Sequence, residues 1–164
     1  NKKIFTIYKF RSMTDEKDEN GELLPDNIRL TKFGKFLRST SLDELPQFFN
    51  ILKGEMSLIG PRPLSILYLP FYYDTEVMRF SVNPGITGLA QINGRNFLNW
   101  DEKLKLDVEY VNKMSFVLDF EILILTIKKV IFKPEVGVRG VDFLDESLDE
   151  IRPINKNYKE KGSF

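Results

Sequence analysis

The longest apolar run of the chain, Phe116 to Phe132, sets the first limit on the fold. It is rich in Ile and Leu, yet Asp119, Glu121, Lys128 and Lys129 interrupt it. A membrane span needs about 20 mostly apolar residues, and a charge at mid-bilayer costs roughly 3 kcal/mol even on insertion scales. The segment therefore reads as a helix, Val117 to Phe132, that offers a membrane interfacial contacts at most. A second clear helix is predicted over Trp100 to Val111, joined to the first through Asn112 to Phe116.

Upstream the signals are shorter. Ile4 to Phe10 alternates apolar and polar residues and predicts a short strand. Thr14 to Asp26 reads as a polar loop turning at Asn20-Gly21. Leu30 to Leu37 predicts a short amphipathic helix, with Leu30, Phe33, Phe36 and Leu37 on one side and Lys32, Lys35 and Arg38 around the other. A helix from about Leu42 to Leu52 should stop at Lys53-Gly54, a cation followed by a C-terminal glycine. Met56 to Leu69 reads as extended and proline-punctuated, Asp74 to Phe80 as a short helix, and Asn83 to Asn96 as a glycine-rich extended or hairpin segment. With 164 residues, 42% of them hydrophobic, one sizeable core is expected. The fold class is α+β: a mainly helical single domain with a small β-hairpin or short strands and amphipathic interfacial helices. Residues 1–133 form its body, and 134–164 a polar, partly mobile C-terminal tail.

Charge and residue usage exclude several function classes. Lys+Arg 24 against Asp+Glu 24 leaves no global basic charge with which to bind nucleic acid. The balance hides a local excess, since Ile28 to Thr40 carries Arg29, Lys32, Lys35 and Arg38 and no acid. The absence of Cys removes disulfides, thiol nucleophiles and cysteine metal sites, and fits a reducing compartment. The absence of His removes imidazole from acid–base work and metal ligation. Catalysis then falls to Asp, Glu, Lys, Arg, Tyr, Ser or Thr, and metal binding to hard, oxygen-preferring Mg2+ or Mn2+.

The stretch Arg38-Ser39-Thr40-Ser41-Leu42-Asp43-Glu44-Leu45-Pro46-Gln47 sets two adjacent carboxylates at what reads as a helix start. Ser41 and Glu44 have the spacing of a capping box, and Pro46 is tolerated near a helix beginning. The positive end of a helix suits a phosphate, a metal-bound carboxylate, or a carboxylate kept ionised as a nucleophile. Acidic residues are ordinary at helix starts, so the pair alone favours a plain first turn. The sequence on both sides overturns that.

Five blocks follow one another: Tyr8 to Met13, Arg29 to Pro46, Leu52 to Pro63 (ending Gly60-Pro61-Arg62-Pro63), Pro84 to Asn96, and Lys105 to Val111. In this order and spacing, from about Ile4 to Phe132, they closely resemble the bacterial sugar transferases, the monotopic phosphoglycosyl transferase superfamily. The resemblance implies that the Asp of the Asp-Glu pair attacks the β-phosphorus of a UDP-sugar. UMP leaves, a phosphosugar–aspartyl intermediate forms, and a polyprenyl (undecaprenyl) phosphate accepts the phosphosugar. This would be the first membrane step of glycan assembly. Asp43 takes the nucleophile role by its motif position, and Glu44 that of metal ligand, so that Asp43 and Glu44 would share Mg2+ or Mn2+. Two anions this close repel each other and an incoming diphosphate, which a divalent cation would relieve.

Lys9 and Arg38 match basic positions of the family and are assigned to phosphate. Arg62 matches a Pro-Arg-Pro region associated with the nucleotide; Pro61 and Pro63 either fix its angle or merely shape a loop. Arg95 is assigned to substrate phosphate or sugar. Asp107 is kept as a substrate-binding residue by the family match, although its neighbours Lys103, Lys105 and Glu109 point to a surface ion pair. Lys32 and Lys35 read as solvated cations or as contacts to anionic headgroups. Phe48, Phe49, Leu69, Phe71, Tyr72 and Tyr73 suit either a core or a membrane interface.

Family members carry an N-terminal hydrophobic segment that dips into the bilayer. The chain opens Asn1-Lys2-Lys3-Ile4 without an initiator Met, so the expectation is a catalytic portion, itself soluble or weakly associated. The whole protein is expected at the cytoplasmic face of the bacterial inner membrane. Two other readings compete: a catalytically silent membrane-surface module of the same fold, and a phosphohydrolase whose aspartyl-phosphate is resolved by water. No Asp-x-Asp, Walker A loop or Gly-x-Gly-x-x-Gly supports a different nucleotide chemistry.

Overall fold

The structure is a computed structural model that describes residues 3–94, 98–132, 147–156 and 158. Ile4 to Phe10 does not form the predicted strand; it is held by a side chain and a loop instead of a ladder. Asn50 Nδ2 donates to the Thr6 carbonyl at 2.8 Å, Asn50 Oδ1 accepts from the Tyr8 N–H at 3.2 Å, and the Phe10 N–H donates to the Asp43 carbonyl at 3.0 Å. Alternation here reports extended backbone lying on the body, without a sheet neighbour. Two single antiparallel bridges, Met13 to Leu30 and Lys17 to Leu23, close the polar loop, with Gly21 at φ 84° in its turn.

After a short helix α1 (Asp26–Arg29), α2 (Lys32–Ser39) begins two residues later than predicted. Thr31 caps it, its Oγ1 accepting from the Gly34 N–H at 2.8 Å. A Cβ on Gly34 would fall 1.8 Å from the Ser12 carbonyl oxygen, so only glycine lets α2 rest on that backbone. The helix predicted from Leu42 to Leu52 is divided. Leu42–Gln47 is a 3-10 turn, and α3 (Phe48–Leu52) continues it before Gly54, at φ 74°, ends the run as expected. Pro46 is the cause: lacking an N–H and crowding the carbonyl one turn back, it disfavours α-geometry through Leu42 to Gln47.

The strands are β1 (Ser57–Ile59) and β2 (Gly85–Thr87), paired in parallel with Ser57 opposite Gly85 and Ile59 opposite Thr87. The hairpin expected within Asn83 to Asn96 is therefore corrected: one strand runs there, followed by α4 (Leu89–Asn93). A parallel pair needs a crossover. It is supplied by the chain between the strands, with 3-10 turns Ile66–Phe71 and Glu76–Ser81. Helices α5 (Trp100–Lys113) and α6 (Phe116–Phe132) lie where they were predicted. Asn99 and Glu102 form a complete capping box at the start of α5.

The core gathers Tyr72, Leu104 and Leu148, flanked by Leu64, Tyr68, Leu69, Phe71, Val77, Phe80 and Trp100. Leu69, Phe71 and Tyr72 are thus core residues, whereas Phe48 and Phe49 stay exposed. Leu148 belongs to α7 (Leu148–Ile151), and behind it Arg152 is buried, pairing with Glu76 at 2.7 Å and with Asp101. The Asn155 N–H donates to the Pro70 carbonyl at 2.7 Å. The segment from Ile151 to Asn155, expected to be mobile, is docked, because a buried arginine must keep its carboxylates. Residues 134–146, 157 and 159–164 of the expected tail lie outside the described residues. No helix among the described residues is long and apolar enough to cross a membrane. The result is a mainly helical α+β domain with a minimal parallel sheet.

Candidate active site

A cavity of about 890 Å3 opens among the extended N-terminal segment, the Leu42–Gln47 turn, α4, α5 and α6. Lys9, Arg38, Asp43, Glu44, Arg62 and Asp107 all line it. Six of the nine positions singled out from the sequence thus converge, from segments far apart in the chain. Pro61 and Pro63 flank Arg62 and face a smaller neighbouring cavity of about 130 Å3. Arg95 lies outside the described residues.

The predicted Ser41–Glu44 capping box does not form. Ser41 takes a left-handed conformation at φ 56° and makes no side-chain cap. The Glu44 carboxylate turns into the cavity, where Oε1 accepts from Lys9 Nζ at 3.0 Å and from an Arg62 guanidinium nitrogen at 2.8 Å. Two cations outcompete one neutral N–H for a carboxylate. Burial alone would raise the Glu44 pKa, but Arg62 and Lys9 outweigh it and hold the group at about 2. Asp43 shifts the other way. Burial and then the neighbouring Glu44 charge raise it above the ordinary carboxylate value, against the opposing pull of Lys9 and Arg38. Among the described residues Asp43 makes no ion pair. Arg38 is oriented from α2 by its Nε, which donates to Ser12 Oγ at 3.0 Å.

Behind Arg62 stands a residue that sequence reasoning missed. Arg79 is buried in the Glu76–Ser81 turn and donates to the Arg62 carbonyl oxygen. It also grips Asp107 Oδ2 through Nε at 3.1 Å and a terminal nitrogen at 2.8 Å. Asp107 is therefore no surface residue; burial raises its pKa, against Arg79 and then Arg62. The pair anchors the Pro61-Arg62-Pro63 loop to α5. The available signal was a lone arginine between Met78 and Phe80, an apolar setting that a cation enters only with a partner. Gln91 on α4 was missed as well. It is buried at the cavity wall, and neither atom of its amide has a hydrogen-bond partner among the described residues. An uncharged amide gave charge-based reading nothing to weigh.

The donor set suits a hard cation. Asp43 and Glu44 offer oxygen only, and no cluster of three or more acidic or other metal-ligating side chains exists among the described residues. The protein could fill at most part of a coordination shell, leaving the rest to water and phosphate oxygens, as Mg2+ sites commonly do.

The sequence model of the family described as bacterial sugar transferase matches residues 1–133. An uncharacterised sugar transferase of Bacillus subtilis, EpsL, is 58% identical over 129 residues, covering 79% of this chain and 64% of that protein. The galactosyl transferase CpsE of Streptococcus agalactiae is 47% identical over 145 residues, covering 80% of this chain and 32% of its own. A UDP-glucose:undecaprenyl-phosphate glucose-1-phosphate transferase of Klebsiella pneumoniae is 44% identical over 137 residues, covering 77% and 30%. This chain thus spans about two thirds of the first relative and about a third of the other two. With the family model covering residues 1–133, most of the chain, the chain belongs to the bacterial sugar transferase family.

Proposed function

We propose that the chain carries the catalytic machinery of a sugar-1-phosphate transferase acting between a UDP-sugar and a polyprenyl phosphate. The observation that carries this reading is the unequal treatment of two adjacent carboxylates. Glu44 is gripped by Lys9 and Arg62, while Asp43 makes no ion pair among the described residues and lines the same cavity. A carboxylate so placed has a nucleophilic oxygen, and the surrounding cations can meet a phosphate.

In this reading an Asp43 oxygen bonds to the β-phosphorus as the bond to the bridging oxygen breaks, and UMP leaves with that oxygen and its electrons. A phosphate oxygen of the polyprenyl phosphate then attacks the same phosphorus and returns Asp43 as a carboxylate. Lys9 and Arg38 neutralise the transferring phosphate, and Arg62, held by Arg79, takes the nucleotide side. Mg2+ or Mn2+, held by Glu44 and Asp43, would supply further neutralisation of the diphosphate. The Klebsiella pneumoniae relative, named for UDP-glucose and undecaprenyl phosphate, supports these substrate classes. Association with the cytoplasmic face of a bacterial membrane completes the proposal. It is supported by the exposed apolar side chains Phe33, Phe36, Phe49, Phe116 and Phe132.

The test is intact-mass measurement after mixing with UDP-glucose or UDP-galactose, alongside UMP release with polyprenyl phosphate. The wild-type chain should gain one hexose phosphate, and Asp43→Asn should gain nothing and release no UMP. An adduct of that size on the Asn chain would overturn the role of Asp43. UMP release unaccompanied by lipid product would favour the phosphohydrolase.

A further inference from the structure

Trp100, Lys103 and Asp107 fall at i, i+3 and i+7 along α5, one face of the helix, and all three line the cavity. Gln91 joins them from α4, which packs against α5. We infer that this wall is the hexose subsite, with the Gln91 amide and Asp107 Oδ1 reading ring hydroxyls; the inference rests on the proposed transferase reading.

Two residues of this wall keep polar atoms unpaired among the described residues. Gln91 is 7% exposed, and its amide oxygen and nitrogen are both buried without partners among the described residues. Asp107 spends Oδ2 on Arg79 and leaves Oδ1 buried with no hydrogen bond. Buried polar atoms are nearly always paired, and each orphan is costly enough to need a reason. Three such atoms in two residues of one cavity wall point to a ligand that donates and accepts in the same place.

Hydroxyl groups do both. Phosphate does not fit, since it only accepts and would meet the Asp107 carboxylate. The cations that suit phosphate, Lys9, Arg38 and Arg62, stand by the Asp43–Glu44 pair. Lys103 adds a donor; burial and then Arg62 lower its pKa, which makes its proton easier to share. Its Nζ lies over the Trp100 ring, 5.2 Å from the centroid, so the indole holds this donor at the cavity wall. The Gln91 amide and Asp107 Oδ1 are closed off from water, so on this inference sugar binding turns both toward the cavity. The anionic and neutral parts of one UDP-sugar are thereby divided between two walls of the cavity.

The side-chain amide signals of the full chain report on this directly. The Asp43→Asn background keeps the donor intact during titration with UMP and then with UDP-glucose and UDP-galactose. The Gln91 amide signal should move with at least one UDP-sugar and stay still with UMP. Equal movement with UMP would overturn the hexose assignment in favour of the base, and no movement with a UDP-sugar that binds would overturn it outright.

Gln91→Met, similar in shape but without the amide, separates ligand reading from packing. It should raise the KM for the donor about tenfold or more, leave inhibition by UMP unchanged and leave the melting temperature no lower. A chain that melts higher with an unchanged KM would show the amide to be only a buried liability, and the inference fails. A wild-type chain releasing no UMP from any UDP-sugar tested would be a different failure, bringing down the proposed function and this subsite with it.

Discussion

Removing the Glu44 charge, as in Glu44→Gln, withdraws one of the two influences that raise Asp43. The Asp43 titration should then move toward lower pH, whereas Lys9→Met or Arg38→Met should move it higher. Carboxyl carbon resonances followed by pH in metal-free buffer check both directions; one common direction for all three variants would refute this account of the site. Stability carries the opposite sign for the two carboxylates. The Glu44 pKa falls from 4.5 to about 2 on folding, so its contribution is complete above the unfolded value and lost as pH falls from there toward 2. Asp43 is raised, so its ionised form weighs against folding above its unfolded value of 3.8. Denaturant melts of Glu44→Gln and Asp43→Asn at neutral pH should therefore diverge, with the first less stable than wild type and the second at least as stable. For Arg62→Ala the expectation is a higher donor KM and weaker UMP inhibition at nearly constant kcat, since a contact made equally in ground and transition states moves KM. Steady-state rates decide it.

Elements differ in how far the sequence announces them. The helices α5 and α6 were legible because a 3.6-residue period sustained over many residues has one interpretation. The Ile4 to Phe10 segment was misread because alternation describes an extended backbone and says nothing about whether a neighbour is a strand or the Asn50 side chain. The parallel pairing of β1 and β2 was hidden for a similar reason: three-residue strands carry almost no periodicity. Their closeness depends on glycine. A Cβ on Gly88 would fall 2.1 Å from the Gly60 carbonyl oxygen, a backbone atom that cannot move aside cheaply. Gly88→Ala should therefore cost about 1–3 kcal/mol as overpacking and loosen the loop that carries Arg62. A thermal melt together with the donor KM measures both parts, and an unchanged melt would show that the strands have slack. Of the cavity lining, Lys9, Arg38, Asp43, Glu44, Arg62 and Asp107 were picked out through their motif blocks. Arg79 and Gln91 were not, because their roles depend on burial, which only the fold supplies.

Over the whole molecule, one buried arginine ties three regions together. Arg152 reaches Glu76 in the crossover and Asp101 at the start of α5 from behind α7. Arg152→Ala strands Glu76 in the interior and should cost roughly 3 kcal/mol, lowering the melting temperature by about 6–12 °C. Calorimetry tests it, and a shift below about 2 °C would show that the end of the chain is decoration. The outer surface makes a second expectation. Phe116 is 85% exposed and Phe132 77%, yet no described helix can span a bilayer. Interfacial contacts through such side chains are reversible, so binding to anionic vesicles should be weak in flotation; firm retention would place a strong anchor within these 164 residues. The chain of contacts from Asp107 through Arg79 to the Arg62 carbonyl also has a consequence for biosynthesis. A ribosome delivers Asp43 well before Asp107, and domains settle as their parts emerge. Until α5 is out of the exit tunnel, Arg79 lacks its carboxylate and the Arg62 loop its brace. A translation-stalled chain ending short of Asp107 should then take up no labelled phosphosugar although its aspartate is already made. On the proposed reading, abandoned synthesis would leave the cell an inert remnant instead of a half-working transferase drawing on its donor.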